Sequence, residues 1–388
     1  MSKTSRPTVS VVVPVYRHQP YLVSALKSIL AFDYSPLEII IQDDASPDDA
    51  FEVIEHVVAA YDGPHKVIIG KNEKNLSMAN FNVLMEKAGG DYIIAAHDDD
   101  IQYRERVSMI MDAFLTHKVS MVSSNAIMMT ASGDRIRPDS DFTDCRIDAL
   151  QFSRTGWTDH VHGPALAWHR DVFDKFGPID VEGTSRASDF VIPYRAALLN
   201  GIYYLSQTTF DRRLHANSRG SIGRNTDDED AYTVEESSEA ITQYIYMLKT
   251  TDFALQKSLI TRKQHQAMSE NIRDMMVTKA GQLAVSRNRL HMKKRRMTWI
   301  SHGAGAVTRA DLPNADISEK ALVLFATSVP HENLPSALRS REDIMHVIRA
   351  RPWQQVAYRH PFKIRHWMAV WRLQRAFRQF GKSEVPSD

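Results

Sequence analysis

Apolar runs broken by short polar clusters fill the first third of the chain, and two periods alternate along it. TVSVVVPVY at 8–16 is rich in β-branched residues, and YLVSALKSILAF at 21–32 sets Leu22, Ala25, Leu26 and Ile29 at helical spacing. LEIIIQDDAS (37–46), KVIIG (66–70), DYIIAAH (91–97) and VSMVSSNAIMM (119–129) predict further strands. Between them, 48–61, 77–90 and 104–117 predict helices, the first with an acidic opening turn and the second closed by glycine. This β-α-β-α rhythm predicts an α/β fold with a mostly parallel sheet and helices on both faces. Near-continuous apolar strands such as SVVVPV and LEIII fit burial from both sides.

The pattern loosens over 131–222, which is rich in Asp, Gly and Pro, and turns helical from about 230, where AITQYIYMLKTTDFAL and HQAMSENIRDMMVTKAGQLAVSRNRL run without proline. The division expected is an α/β domain over 1–222 and a mainly helical extension over 223–388. At 43% hydrophobic and 24% charged residues the chain reads as globular, and a formal net charge of +1 argues against a whole-protein polyanion binder. One cysteine, Cys145, excludes an internal disulfide and a Cys-based zinc site. MSKTSRPTVS lacks a signal-peptide core, and no run reaches the roughly 18–20 apolar residues of a membrane span. A cytoplasmic setting is expected, with contact at the inner membrane face as a further option.

In open α/β sheets ligands sit beyond the carboxyl ends of the strands. Three polar clusters fall at such ends: Tyr16-Arg17-His18, Asp43-Asp44 and His97-Asp98-Asp99-Asp100. Three adjacent carboxylates need a counter-charge. A divalent cation such as Mg²⁺ or Mn²⁺ supplies it and suits a nucleotide-diphosphate site; a solvated acidic loop or helix cap is the plainer reading. Asp44 fits either a partner for a base N–H or a turn cap. Asp189 fits a general base for an acceptor hydroxyl or a helix cap. His215 fits a metal or phosphate ligand, or an ordinary packed histidine.

Taken in order, these segments resemble the family 2 glycosyltransferases of the GT-A fold, of the type that builds bacterial surface polysaccharides. The resemblance rests on VSVVVPVY, IIIQDDASPDD, Asn75-Leu-Ser with Asn82 six residues before Ala88, DYIIAAHDDDI, GPALAWHRDVFDKFGPID (163–180), Asp189 and His215, and it covers about 8–220. It implies inverting transfer of a sugar from a nucleotide-diphosphate donor, UDP-linked first, to a hydroxyl of a glycan or lipid-linked acceptor. It implies that Pro14, Tyr16, Asp44, Asn75 and Asp98 bind the nucleotide. Asp99, Asp100 and His215 would hold Mn²⁺ or Mg²⁺, and Asp189 would act as catalytic base. His97, His162, Trp168, Arg212 and Arg213 would line the acceptor or the diphosphate. Three departures stand out: His97 replaces a common aspartate, Ser77 a common glycine and Ser188 a common glutamate.

In the tail, Ile364, Trp367, Met368 and Trp371 recur at helical spacing among Arg365, Arg372, Arg375 and Arg378. Such a helix suits either a membrane interface or packing with solvated arginines. The basic RNRLHMKKRRM (287–297) offers the same choice, and the long helices allow a homo-oligomer. Nothing points to nucleic acid. A sugar-1-phosphate nucleotidyltransferase is disfavoured because PVYRHQPYL stands where a Gly-rich basic loop is needed, and a dinucleotide dehydrogenase because no GxGxxG follows the first strand. A non-catalytic scaffold is the remaining alternative.

Overall fold

The computed structural model describes residues 6–17, 20–156, 160–161, 163–180, 187–215 and 229–301. The strands are β1 (Val9–Val15), β2 (Leu37–Asp43), β3 (Lys66–Lys71), β4 (Tyr92–Ala95), β5 (Ile101–Gln102), β6 (Met121–Met129), β7 (Arg135–Pro138), β8 (Cys145–Ile147), β9 (Leu166–His169) and β10 (Ile202–Arg213). The helices are α1 (Leu22–Leu30), α2 (Ala50–Ala59), α3 (Asn80–Lys87), α4 (Arg106–His117), α5 (Ala149–Thr155), α6 (Asp171–Asp174), α7 (Ile192–Leu199), α8 (Glu229–Gln256) and α9 (Arg262–Ser301). One sheet runs in the order β3-β2-β1-β4-β9-β6-β10-β5, with β7 on β6 and β8 on β10.

The mostly parallel α/β architecture is the one found. β3, β2, β1 and β4 are mutually parallel, as are β6 and β10. Between these two blocks β9 runs antiparallel to both β4 and β6. The loosely patterned segment therefore supplies the middle of the sheet. Its β9 is only four residues long, too short to show a period. β10 is interrupted by register shifts between Leu205 and Thr208 and between Thr208 and Asp211, and such bulges bend and re-aim a strand.

Packing follows the pleat. Val11, Val13, Ile39 and Ile41 share a core with Leu22, Leu26 and Ile29 of α1, Ala50 and Ile54 of α2, and Val107 and Ile110 of α4. The alternate residues Val12 and Ile40 are equally buried, and α3 packs on β1 and β2. Each such aliphatic side chain contributes about 1.5–3 kcal/mol on burial.

α3 ends differently from expectation. Ala88 closes it in extended geometry (φ −72°, ψ 126°), not a left-handed glycine. The two glycines serve proximity instead. Gly89 N–H donates to Glu38 at 2.5 Å and Gly90 N–H to Ser10 Oγ at 2.8 Å. A Cβ on Gly90 would stand 2.8 Å from both Ser10 N and Thr8 O. Gly90→Ala is expected to cost about 1–3 kcal/mol by overpacking, read as a lower urea midpoint; an unchanged midpoint would mean that β1 yields freely here.

The chain divides into two compact units, 1–223 with 249–268, and 224–248 with 269–388. In the first, the end of α8 is tied to α7 by a 2.6 Å hydrogen bond between the buried Tyr194 and Thr251 hydroxyls. In the second, Lys279 of α9 pairs with Glu236 of α8 at 2.5 Å. The basic stretch 287–297 falls within α9, and the Trp/Arg helix expected at 361–382 lies outside the described residues. Among the described residues no helix is long and apolar enough to cross a membrane.

Candidate active site

The carboxyl edge of the parallel strands gathers most of the candidate residues. β1 delivers Pro14 and then Tyr16, which is 41% exposed. Arg17 follows in left-handed backbone (φ 78°), its N–H held by Ser46 Oγ at 2.6 Å. Ser46 is itself fixed by Asp43, which accepts both its N–H (3.1 Å) and its hydroxyl. Asp43 thus organises the turns after β1 and β2 from beneath.

Asp44 organises the loop after β3. Its Oδ1 accepts from Asn72 Nδ2 (2.7 Å) and Leu76 N (2.8 Å), and its Oδ2 from Ser77 N (2.8 Å). A carboxylate offers about four acceptor positions, so one remains. Asn75 Oδ1 accepts from the same Ser77 N–H at 3.0 Å. Ser77 adopts φ 51°, and Ala45 φ 57°, the region that favours glycine. Left-handed non-glycine residues in three adjoining loops concentrate backbone strain at this edge.

β4 ends in the acidic run, and its like charges are handled separately. Burial, then the Asp99 charge, pushes the Asp98 carboxyl up to about 8. Tyr16 N–H offers Asp98 a long bond of 3.4 Å. The same two causes, in the same order, drive Asp100 well above the usual carboxylate range, against the Arg213 N–H and the Arg106 charge. Asp99 keeps a direct partner: its Oδ2 lies 2.9 Å from His215 Nε2. Crowding of the three carboxyls is thus felt at Asp98 and Asp100, while Asp99 is paired with an imidazole.

His97, Asp99 and Asp100 present ligand atoms within 4.8 Å of one another. This departs from the expected set in one respect. His97, assigned to the acceptor or diphosphate, joins the cluster, while His215, assigned to the metal, stands beside it with Nε2 2.9 Å from Asp99 Oδ2. A hydrogen-bonded partner of that kind orients a ligating carboxylate. Tyr21 braces this corner, 5.2 Å from the His215 ring and 4.3 Å beneath the Arg213 guanidinium.

Two further expectations are corrected. Trp168 is fully buried on β9 against Phe81 and Phe173, so it borders no acceptor. β4 and β6 flank β9 on its two edges, and α7 packs on it. Arg213 is a tie within the fold: its Nε donates to Asp99 O (3.0 Å), its Nη1 to Ala131 O (3.0 Å), and its backbone N–H to Asp100 Oδ1 (2.9 Å). Arg212 pairs with Asp139 at 3.0 Å. His162 lies outside the described residues. Asp189 sits in the π-turn Ala187–Val191 that opens α7. α7 runs down to Gly201 at the start of β10, so its beginning faces the carboxyl edge.

The most informative residue missed in the sequence is Arg106. It is fully buried, donating to Ala95 O (3.1 Å), Pro164 O (2.7 Å) and Gln102 Oε1. Burial pulls its pKa down to about 9 while the Asp100 charge opposes. It thus supplies positive charge from below the acidic run. An arginine at a helix start is ordinarily exposed, so only its place four residues before Ile110, on the apolar face, could have marked it.

The family described as glycosyl transferase family 2 matches residues 10–177. EpsE of Bacillus subtilis (strain 168) is 34% identical over 103 residues, 26% of this chain and 37% of that protein. The GalNAc(5)-diNAcBac-PP-undecaprenol beta-1,3-glucosyltransferase of Campylobacter jejuni is 33% identical over 105 residues, 27% of this chain and 34% of that protein. The chain therefore spans well under two thirds of the length of either relative. The crystal structure of S. aureus TarS 1–349 with UDP-GlcNAc aligns over 98% of this chain and 93% of that one, at TM-score 0.48 and 15% identity. The part of the chain that is similar to glycosyl transferase family 2 is thus residues 10–177, which carry β1 to β4, the acidic run and the segment up to Gly177.

Proposed function

We propose that the protein is a metal-dependent, inverting glycosyltransferase of bacterial polysaccharide biosynthesis. It moves a sugar from a nucleotide-diphosphate donor to a hydroxyl of a glycan or lipid-linked acceptor. The observation that carries this reading is the His97-Asp99-Asp100 cluster at the carboxyl edge, in line with the Tyr16 and Asp44 loops. One imidazole and two carboxylates form a donor set suited to Mn²⁺, and the oxygens to Mg²⁺. A divalent cation held there would neutralise charge on the departing diphosphate.

The chain's own residues account for the rest. Pro14, Tyr16 and Asn75 border the nucleotide, and Asp44 offers its remaining acceptor position to a base N–H such as that of uracil, which favours a UDP-sugar. Asp98 lies between Tyr16 and Asp99 and faces the phosphates. Asp189 takes the acceptor hydroxyl's proton as the oxygen attacks the anomeric carbon opposite the leaving group, which inverts that carbon. His215 holds Asp99 in place. A lipid-linked acceptor is in keeping with the undecaprenol-linked substrate named for the Campylobacter relative, and it would place the enzyme at the inner membrane face.

The test is donor hydrolysis and transfer over a panel of UDP-, GDP- and dTDP-sugars with Mn²⁺, Mg²⁺ or EDTA. The expected result is release of one nucleotide, dependent on the cation. Silence across the panel, with no nucleotide binding by calorimetry, would sink the enzyme reading in favour of a scaffold.

A further inference from the structure

Asn82 lies outside the acidic site, yet its side chain makes a two-way bond to a distant backbone. Its Nδ2 donates to Ile179 O at 3.0 Å, and its Oδ1 accepts from Ile179 N–H at 2.8 Å. A side-chain amide is acting here as one rung of a strand ladder. Asparagine is the one residue of this length that offers a donor and an acceptor in a single plane. Ile179 itself is buried, 3% exposed.

The loop it grips is held from the other side as well. Arg195 of α7 donates Nη1 to Gly177 O (2.6 Å) and Nη2 to Pro178 O (3.0 Å). Its guanidinium also lies over the Phe173 and Phe176 rings, at 5.9 and 5.7 Å. Three successive residues, 177 to 179, are thus clamped between α3 and α7. Each helix reaches a different part of the carboxyl edge. α3 starts at Asn80, which accepts from Asn72 at 2.9 Å, and Asn72 in turn donates to Asp44. α7 starts directly after the turn that holds Asp189.

We infer that Asn82 is a positioning residue that sets α7, and with it Asp189, against the nucleotide loop. The path is Asp44, Asn72, Asn80, then Asn82, the 177–179 backbone, Arg195 and Asp189. This rests on the glycosyltransferase reading above for its chemical consequence, but the clamp itself is a matter of hydrogen bonds. Removing it leaves the nucleotide side intact, because Asp44 keeps all three of its donors. It removes the grip of α3 on 177–179 and leaves that of Arg195, and an error of about 1 Å in a reacting group costs on the order of a hundredfold.

Hydrogen exchange of the full chain, wild type against Asn82→Ala, tests the clamp without reference to activity. Exchange of the Ile179 amide and of 187–199 is expected to rise, while that of Leu76 and Ser77 stays as in the wild type. Steady-state transfer tests the consequence: kcat should fall about ten- to a hundredfold, with UDP affinity within twofold by calorimetry. Asn82→Asp, which keeps the acceptor for Ile179 N–H and loses the donor, should fall between the two. Unchanged exchange at 187–199 overturns the inference. So does a loss of transfer matched by an equal loss of UDP affinity, which would mark Asn82 as part of the general fold of the nucleotide side. Absence of nucleotide binding in the wild type would instead overturn the proposed function, whatever the exchange shows.

Discussion

Asp99→Ala is expected to lower cation-dependent donor turnover about a thousandfold or more. Two losses combine. The cluster loses the member that stands between His97 and Asp100 in the chain, and His215 loses its 2.9 Å partner. Lewis-acid stabilisation of a leaving group is worth several kcal/mol, and about 1.4 kcal/mol is a factor of ten. The measurement is Mn²⁺ titration by calorimetry beside nucleotide release. Full turnover with saturating cation in Asp99→Ala would remove this residue from the metal set and leave His97 and Asp100 to be explained otherwise. An unchanged thermal midpoint in Asp99→Ala would show that the loss of activity is not unfolding.

Asp189→Asn is expected to reduce transfer by about 10²–10⁴-fold, the usual worth of a positioned general base. Asparagine keeps the size and hydrogen-bonding reach of the side chain while removing its capacity to take a proton. UDP affinity should stay within error of the wild type, because the nucleotide side is built from β1 to β4 and Asp189 opens α7. Transfer that persists in Asp189→Asn at near wild-type rate would assign the base elsewhere. Together the two variants separate the halves of the reaction, one at the leaving group and the other at the attacking hydroxyl.

Much of the frame was legible in the sequence because parallel strands covered on both faces must be apolar throughout. β1 and β2 show this in their central runs Val11–Val13 and Ile39–Ile41, and α1 shows its buried stripe residue by residue. The acidic run was legible for a related reason, since charges at the end of a buried strand need a purpose. β9 and β10 were not legible, because a four-residue strand has no measurable period and a bulged strand has an interrupted one. The same limit hid the true neighbours of the site. Arg213 was expected to line the acceptor or the diphosphate, but at the end of the bulged β10 its backbone N–H donates to Asp100. Trp168 was expected at the acceptor or the diphosphate, although it is fully buried on a strand flanked by β4 and β6, against Phe81 and Phe173. Arg106 carried no expectation, and its partners Ala95 O and Pro164 O are what fix it. In each case the deciding fact was a partner more than ten residues away or a backbone carbonyl, and neither leaves a mark on local composition.

The place of β9 between β4 and β6 has a bearing on how the protein is made. When synthesis has reached β4, the strands β3, β2, β1 and β4 can already pair, and domains tend to form from the amino end as the chain emerges. The free side of β4 must then wait some seventy residues for its neighbour, and β6 waits for the same strand. Until β10 follows, the acidic run has neither the Arg213 amide nor the His215 ring. A nascent chain therefore carries a finished nucleotide edge well before it carries a finished cation corner, and the reactive half of the site closes only once residue 215 has left the ribosome.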